Sequence, residues 1–320
     1  MVSGVCEVGN MLQNMNTDNK GDADISVCAN CGKDGSNLKS CTACKMVKYC
    51  SRECQIAHRP QHKKKCSKRA KELHDIELFK QPPPAEDCPI CFVRLPTFNA
   101  GSAYMSCCGK VLCCGCMHAP VYDNQGNKVD NQKCPFCRTQ LLSTNDEEIA
   151  EREKKRMEVG DPEAMFNIGS CYRDGSYGYP QDYTKSLELY HRAAELGYSK
   201  ACICIGVSYF EGRGVEVDHK KAVHYYELSA MGGESMARHN LGNIDARAGN
   251  FDRALKHFMI AASGGADKSL NNIKEMYLQG DVTKKDYTKA LQLYQVYLGE
   301  IKSPQRDKAA AYDNERFRYY

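Results

Sequence analysis

The sequence predicts a multi-domain chain in which two small cysteine-bearing modules precede an all-α solenoid of paired helices. Three observations carry this expectation. Sixteen of the 20 cysteines fall between positions 28 and 137. The segment Gln81-Pro82-Pro83-Pro84 splits that stretch, and a proline run favours an extended, semi-rigid spacer. In the carboxyl half a residue pattern returns at steps of 36, 32 and 36 from Lys185.

Composition narrows the classes. The 320 residues are 42% hydrophobic and 26% charged, as in an ordinary soluble globular protein. The longest apolar run, Ala201 to Phe210, is half of the about 20 residues that a membrane span needs. The opening residues MVSGVCEVGNMLQNMN lack a basic flank followed by an apolar stretch, so no secretory signal is read there, and a cytoplasmic or nuclear location is expected. In a reducing compartment the cysteines are expected as metal ligands or buried thiols rather than disulfides. A net charge of +4 is too mild for a dedicated nucleic-acid binder. The polar head, 1–27, is expected to be disordered.

The first module, 28–66, reads Cys28-x2-Cys31-x9-Cys41-x2-Cys44-x5-Cys50-x3-Cys54-x7-His62-x3-Cys66. Zinc takes four sulfur or nitrogen ligands in a tetrahedron. A CxxC turn aims two thiolates at one ion, and pairs such as Cys50/Cys54 and His62/Cys66 suit one helix face. Eight ligand-type residues make two sites. With Tyr49-Cys50-Ser51-x-x-Cys54-Gln55 and His62-Lys63-x-x-Cys66, the segment resembles the MYND zinc finger. The resemblance implies interleaved sites, Cys28, Cys31, Cys50 and Cys54 for one zinc and Cys41, Cys44, His62 and Cys66 for the other. It also implies a protein-interaction groove that includes Gln55; Arg59 stands where that family usually has tryptophan, a frequent anchor at interfaces. The basic run Arg59, Lys63, Lys64, Lys65, Lys68, Arg69 and Lys71 has no interleaved aromatic and reads as a solvated helix face. A basic segment and proline-rich linker, 67–87, follows.

The second module, 88–138, opens with Cys88-Pro89-Ile90-Cys91 and closes with Cys134-Pro135-Phe136-Cys137-Arg138. Between them lies Cys107-Cys108-Gly109-Lys110-Val111-Leu112-Cys113-Cys114-Gly115-Cys116. This order resembles a RING finger in an all-cysteine variant. The resemblance implies two interleaved zincs, one held by Cys88, Cys91, Cys113 and Cys116, the other by Cys134, Cys137 and two central residues. Lys110 stands at a histidine position, and a protonated amine has no lone pair for a metal. Cys107 with Cys108 is the favoured replacement; Cys114 or His118 are alternatives. The resemblance further implies recruitment of a ubiquitin-conjugating enzyme, with Ile90 and Pro135 on the docking surface and Arg138 bridging enzyme and ubiquitin. The plainer alternative has Ile90 inside the module's own small core and Arg138 opening a solvated helix. Leu112, Val121 or Tyr122 are candidates for the tryptophan that family often carries.

Residues 139–160 read as a charged helical connector. From 161 to 300, Ala164-x4-Gly169-x2-Tyr172 recurs as Ala201-x4-Gly206-x2-Tyr209 and, weakened, from Ala237 and Ser269. Lys185-Ser186-x3-Tyr190-x2-Ala193-Ala194 recurs from Lys221, Arg253 and Lys289. Each unit is long enough for two helices, and small residues permit close approach, with Tyr172 and Tyr190 expected between layers. One pair cannot bury its apolar stripe alone, so neighbours must stack. The motif resembles the Sel-1-like repeat, which implies a protein-binding scaffold. Cys171, Cys202 and Cys204 are expected as core thiols. The tail, 301–320, gives no reading. The functional expectation is a zinc-binding interaction protein with about four zinc ions. It is read as a RING-type ubiquitin ligase selecting a substrate protein through its repeats, or alternatively as a non-enzymatic scaffold, with no membrane or nucleic-acid partner.

Overall fold

The structure is a computed structural model that describes residues 27–97, 101–119, 125, 133–140 and 146–312. The expected disorder of the head and the candidates Val121 and Tyr122 lie outside these residues. The chain forms two compact units, one ending at Gln81 and the other starting at Pro82.

In the first unit, β1 (Lys39–Ser40) pairs antiparallel with β2 (Lys48–Tyr49), and α1 (Arg52–Leu78) follows. Ser51 caps α1 by accepting the Cys54 N–H. Only His62 and Leu78 are buried along the 27 residues of α1, so a hydrophobic stripe does not hold this helix down. Its anchors are the ligand-type residues Cys54, His62 and Cys66, spaced to share one face. The basic run is solvated: Arg59, Lys63, Lys64, Lys65, Lys68 and Lys71 are exposed, and Arg69 pairs with Glu72.

The second unit begins with the second cysteine module. Strand β3 (Ser102–Met105) pairs antiparallel with β4 (Lys110–Cys113), Ser102 opposite Cys113, and the short α2 (Cys114–His118) follows at once. Leu112 is fully buried against Met105, Cys134 and Met117. Helix α3 (Asp146–Glu158) leads into α4 (Pro162–Asp174) and α5 (Tyr183–Glu195). Then come α6 (Ser199–Glu211), α7 (His219–Met231), α8 (Ser235–Arg247), α9 (Phe251–Ser263), α10 (Asp267–Gln279), α11 (Lys284–Ile301) and α12 (Pro304–Tyr312).

Helices α4 to α11 form four antiparallel pairs, and the repeat has a steric cause. Ala164, Ala201, Ala237 and Ser269 are all fully buried at the same position of the first helix. On the second helix the aromatic is Tyr190, Tyr226 or Phe258, at most 4% exposed. Each ring sits over the glycine of its partner helix: a Cβ at Gly169, Gly206 or Gly242 would stand 2.9, 2.6 or 2.5 Å from it. Tyr172 departs from the expectation. It is half-buried, packed on Tyr179 with the Lys185 ammonium over its ring, because its position lies at the rim of the pair. Tyr209 repeats the arrangement with Lys221. Cys171 and Cys202 are buried, and Cys204 is half-buried within the apolar cluster of the first two pairs.

The cysteine module is clasped to both ends of this solenoid. At its first pair, Tyr104 donates to Asp161 Oδ2 (2.7 Å), which also accepts two bonds from Arg156, and this trio lies against Gly109 in the β3–β4 turn. At its last pair, Arg94 pairs with Glu300 and lies 5.0 Å from the Tyr297 ring centroid, and the Thr97 N–H donates to Tyr297 Oη. Beyond it α12 packs on α2. Residues 301–312 are therefore structural, a role that no local pattern in them announces.

Candidate metal centres

Four of the five CxxC pairs share one backbone design; the fifth, Cys113/Cys116, opens α2 instead. The residue after the second cysteine (Gly32, Lys45, Phe92, Arg138) has a positive φ of 54–72°. Its N–H donates to the carbonyl of the first cysteine, over 2.8–2.9 Å in each case. The N–H of that first cysteine returns to a carbonyl beyond the turn, Lys33, Val47, Val93 or Thr139. The left-handed residue reverses the chain so that both sulfurs of the turn face one point. It costs a non-glycine residue about 1–2 kcal/mol, so three of the turns, those at Lys45, Phe92 and Arg138, hold backbone strain.

Four groups of ligand atoms result, each within 4.8 Å of one another: Cys28, Cys31, Cys50, Cys54; Cys41, Cys44, His62, Cys66; Cys88, Cys91, Cys113, Cys116; and Cys107, Cys108, Cys134, Cys137. The fit to zinc can be checked by length. Zinc–sulfur bonds of about 2.3 Å in a tetrahedron place neighbouring sulfurs about 3.8 Å apart. The observed separations are 3.6 Å for Cys31–Cys50, 3.7 Å for Cys41–Cys66, 3.7 Å for Cys91–Cys113, 3.9 Å for Cys108–Cys134 and 3.5 Å for Cys107–Cys137. A disulfide needs about 2.05 Å. His62 aims Nε2 into its group, 3.2 Å from the Cys44 sulfur.

The thiols perturb one another. Backbone N–H groups of Cys31 and Cys50 hold Cys28 down at about 6, while hydrogen bonds with Cys54 and Cys31 push Cys50 up to about 12. Cys113 holds Cys88 down at about 4 and is itself driven up. Burial drives Cys107 up and raises Cys116 to about 12. Within these groups some sulfurs ionise at the expense of their neighbours; ionising all four requires a cation among them.

In the second module Cys107 and Cys108 are the central residues grouped with Cys134 and Cys137. The turn after Met105 bends the chain there: the Cys108 and Gly109 N–H groups both donate to the Met105 carbonyl. Lys110 is exposed. Cys114 faces away from the group, buried with Tyr297, Ile301, Ala309 and Ala310, and His118 lies outside it. Ile90 is 37% exposed and so does not fill the module's core. Pro135 is half-buried, and Arg138 is exposed in its left-handed turn with no helix opening there. The pairing of Tyr49 with His58 has no counterpart among the sequence expectations. Tyr49 Oη meets His58 Nδ1 at 3.1 Å, and the His58 ring stacks on His62. This outer support orients a ligand, and Tyr49 at the end of β2, next to Cys50, was its only trace in the sequence. Beside it a cavity of about 590 Å³ is lined by Gln55, Ile56 and Arg59, among others.

Comparison with known proteins agrees with the architecture. Residues 28–66 match the MYND finger, and residues 162–198, 199–234 and 275–295 match the Sel1 repeat. The third helix pair, α8 and α9, thus has the repeat's shape without a match of its own. Similar curated proteins include chitin synthase regulatory factor 4 of Schizosaccharomyces pombe, 28% identical over 116 residues, covering 36% of this chain and 18% of that protein. Protein sel-1 homolog 2 of Mus musculus is 32% identical over 115 residues, covering 34% and 16% respectively. The chain therefore spans less than a fifth of the length of either relative. Among solved structures, a Sel1 repeat protein from Oxalobacter formigenes is similar with a TM-score of 0.42 and 23% identity, covering 54% of this chain and 73% of that one. The chain combines a MYND finger and further cysteine clusters able to hold zinc with a helical Sel1 solenoid.

Proposed function

We propose that the protein is a zinc-dependent interaction adaptor. Cys28, Cys31, Cys50 and Cys54 hold one ion, Cys41, Cys44, His62 and Cys66 a second, Cys88, Cys91, Cys113 and Cys116 a third, and Cys107, Cys108, Cys134 and Cys137 a fourth. The Sel1 pairs, over 161–300, supply the surface for a protein partner in the cytoplasm or nucleus. The observation that carries this reading is the clasp: the second cysteine module joins the first helix pair to the last, so its metal state bears on the whole binding scaffold. The test is affinity capture from one lysate with zinc-loaded and metal-stripped chain, read by quantitative mass spectrometry. Partners whose recovery falls on stripping support the reading; identical recovery contradicts it.

A second reading, a RING-type ubiquitin ligase over 88–138, is favoured by the solvent-facing positions of Ile90 and Arg138. Such a module supplies no nucleophile. It would hold a charged conjugating enzyme in a reactive arrangement, with Ile90 and Pro135 as the apolar contact and the Arg138 fork on carbonyl oxygens of both partners. Incubation with activating enzyme, a panel of conjugating enzymes and ubiquitin separates the readings. Chains that disappear with Ile90→Ala and Arg138→Ala support the ligase. No chains from the zinc-loaded protein leave the adaptor alone.

A further inference from the structure

Arg306 is fully buried. Its guanidinium donates to three carbonyls: Nη1 to Arg94 and Ile301, both at 2.6 Å, and Nη2 to Val93 at 3.0 Å. Among the described residues no carboxylate pairs with it. Arg156, at the other end of the module, is matched by Asp161. A buried guanidinium without a counter-charge is costly, and breaking such a pairing ranks among the most destabilising changes a protein suffers. The side chains that bear on its charge are sulfurs. Val93 and Arg94 directly follow the Cys88–Cys91 turn, and the Val93 carbonyl also accepts the Cys88 N–H. Gly115, between Cys113 and Cys116, presses on α12 so closely that a Cβ there would stand 2.8 Å from the Arg306 backbone nitrogen and 3.0 Å from its Cγ. Cys113 and Cys91 are the groups whose charge most favours the guanidinium.

We propose that Arg306 is the charge-compensating positioning residue of the Cys88/Cys91/Cys113/Cys116 metal site, so that zinc occupancy there and docking of α12 are coupled. The inference rests on the reading that this group binds zinc. Four thiolates around one divalent ion leave two negative charges in a buried place. Arg306 neutralises one of them and clamps the backbone of the first ligand turn through Val93 and Arg94. Conversely, loss of the ion frees the Cys88–Cys91 turn, and with it the Val93 and Arg94 carbonyls that hold Arg306 inside. Helix α12 then loses its anchor, and with it the contacts of Ala309 and Ala310 on Cys114, Tyr297 and Ile301. Outer partners of metal sites commonly contribute roughly 10–100-fold to affinity.

The test uses the full zinc-loaded chain and follows ion release to a chelator by native mass spectrometry. Cys113→Ser identifies the site by removing one ion. Arg306→Met is expected to release that one ion about 10-fold faster or more, with the other three at the wild-type rate, and Arg306→Lys to restore most of the retention. Unchanged release in Arg306→Met, or Arg306→Lys as fast as Arg306→Met, overturns the proposal. Should Arg306→Met fail to fold, hydrogen exchange on the wild-type chain decides: stripping zinc must expose the amides of 304–312 before those of α4 to α7, and protection that persists in 304–312 sinks the coupling. If Cys113→Ser removes no ion, the metal reading of this group fails, a result distinct from unchanged release, and the role of Arg306 falls with it.

Discussion

The same substitution, glycine to alanine in a helix, should have opposite signs at two places in the solenoid. In an unconstrained helix the change stabilises by up to about 1 kcal/mol, because alanine loses less backbone freedom on folding. Gly299 in α11 is such a position, exposed with nothing within 4 Å of an added Cβ. At Gly206 the Cβ would stand 2.6 and 2.7 Å from two ring carbons of Tyr226 and 3.2 Å from the Ala222 carbonyl. Ordinary contact begins near 3.4 Å, so the ring must retreat by about 0.8 Å. Tyr226 is 4% exposed and has no free volume to enter. Overpacking of this kind costs about 1–3 kcal/mol, which outweighs the helix-propensity gain. Gly206→Ala should thus destabilise by about 1–2 kcal/mol, while Gly299→Ala stabilises by about 0.5–1 kcal/mol. Urea unfolding of the zinc-replete chain, read by circular dichroism at 222 nm, measures both. Adding Tyr226→Leu should recover part of the Gly206→Ala loss. A stabilised Gly206→Ala protein would refute the ring-over-glycine account of the repeat.

Glu153, half-buried in α3, is pushed up to about 7 by burial, against a hydrogen bond from Asn167 that lowers it. A carboxyl raised in the folded state favours folding most below its unfolded value near 4.5, and that contribution is lost as pH rises toward 7. Glu153→Gln should therefore gain roughly 1–3 kcal/mol over the native chain at pH 8 and little at pH 4.5, as thermal melts at the two pH values would show; equal gains at both would contradict the burial argument. Tyr104→Phe removes the hydroxyl that donates to the Arg156-paired Asp161 and should cost about 1–2 kcal/mol, with faster hydrogen exchange in 102–105; no loss would mean that the clasp is only a contact. Lys110→Ala should leave the zinc count unchanged and Cys108→Ser should lower it by one, in native mass spectra of each variant. A zinc loss in Lys110→Ala would return the question of the central ligand.

Much of this was legible because ligand chemistry and repeats leave local marks. The spacings Cys28-x2-Cys31 and Cys50-x3-Cys54 are fixed by turn and helix geometry, and the Ala164–Gly169 and Tyr190–Ala193 patterns record which faces touch. Fold class, the first zinc finger and the repeats follow from such marks. What stayed hidden is long-range. Arg94 with Glu300, Tyr104 with Asp161, and Arg306 beneath the Cys88–Cys91 turn join residues 57 to 213 positions apart, and no local pattern announces them. The reading of Tyr172 as an interlayer residue failed for a related reason. Its period placed it on the right helix, but only the partner pair determines whether a position is core or rim. Lys110 shows the converse, since a substitution that looked like a missing ligand is answered by a bend at Cys107 and Cys108 that adjacent positions alone do not reveal.

Four groups of ligand atoms, each sized for one tetrahedral ion, are the centre of this molecule. Native mass spectrometry of the full chain expressed with zinc counts them directly. The account predicts a mass excess of four zinc ions, each lost by a single cysteine-to-serine change in its own group (Cys31, Cys44, Cys91 or Cys137). A chain that holds two ions, insensitive to Cys91→Ser and Cys137→Ser, would contradict it and leave the second cysteine module without a metal.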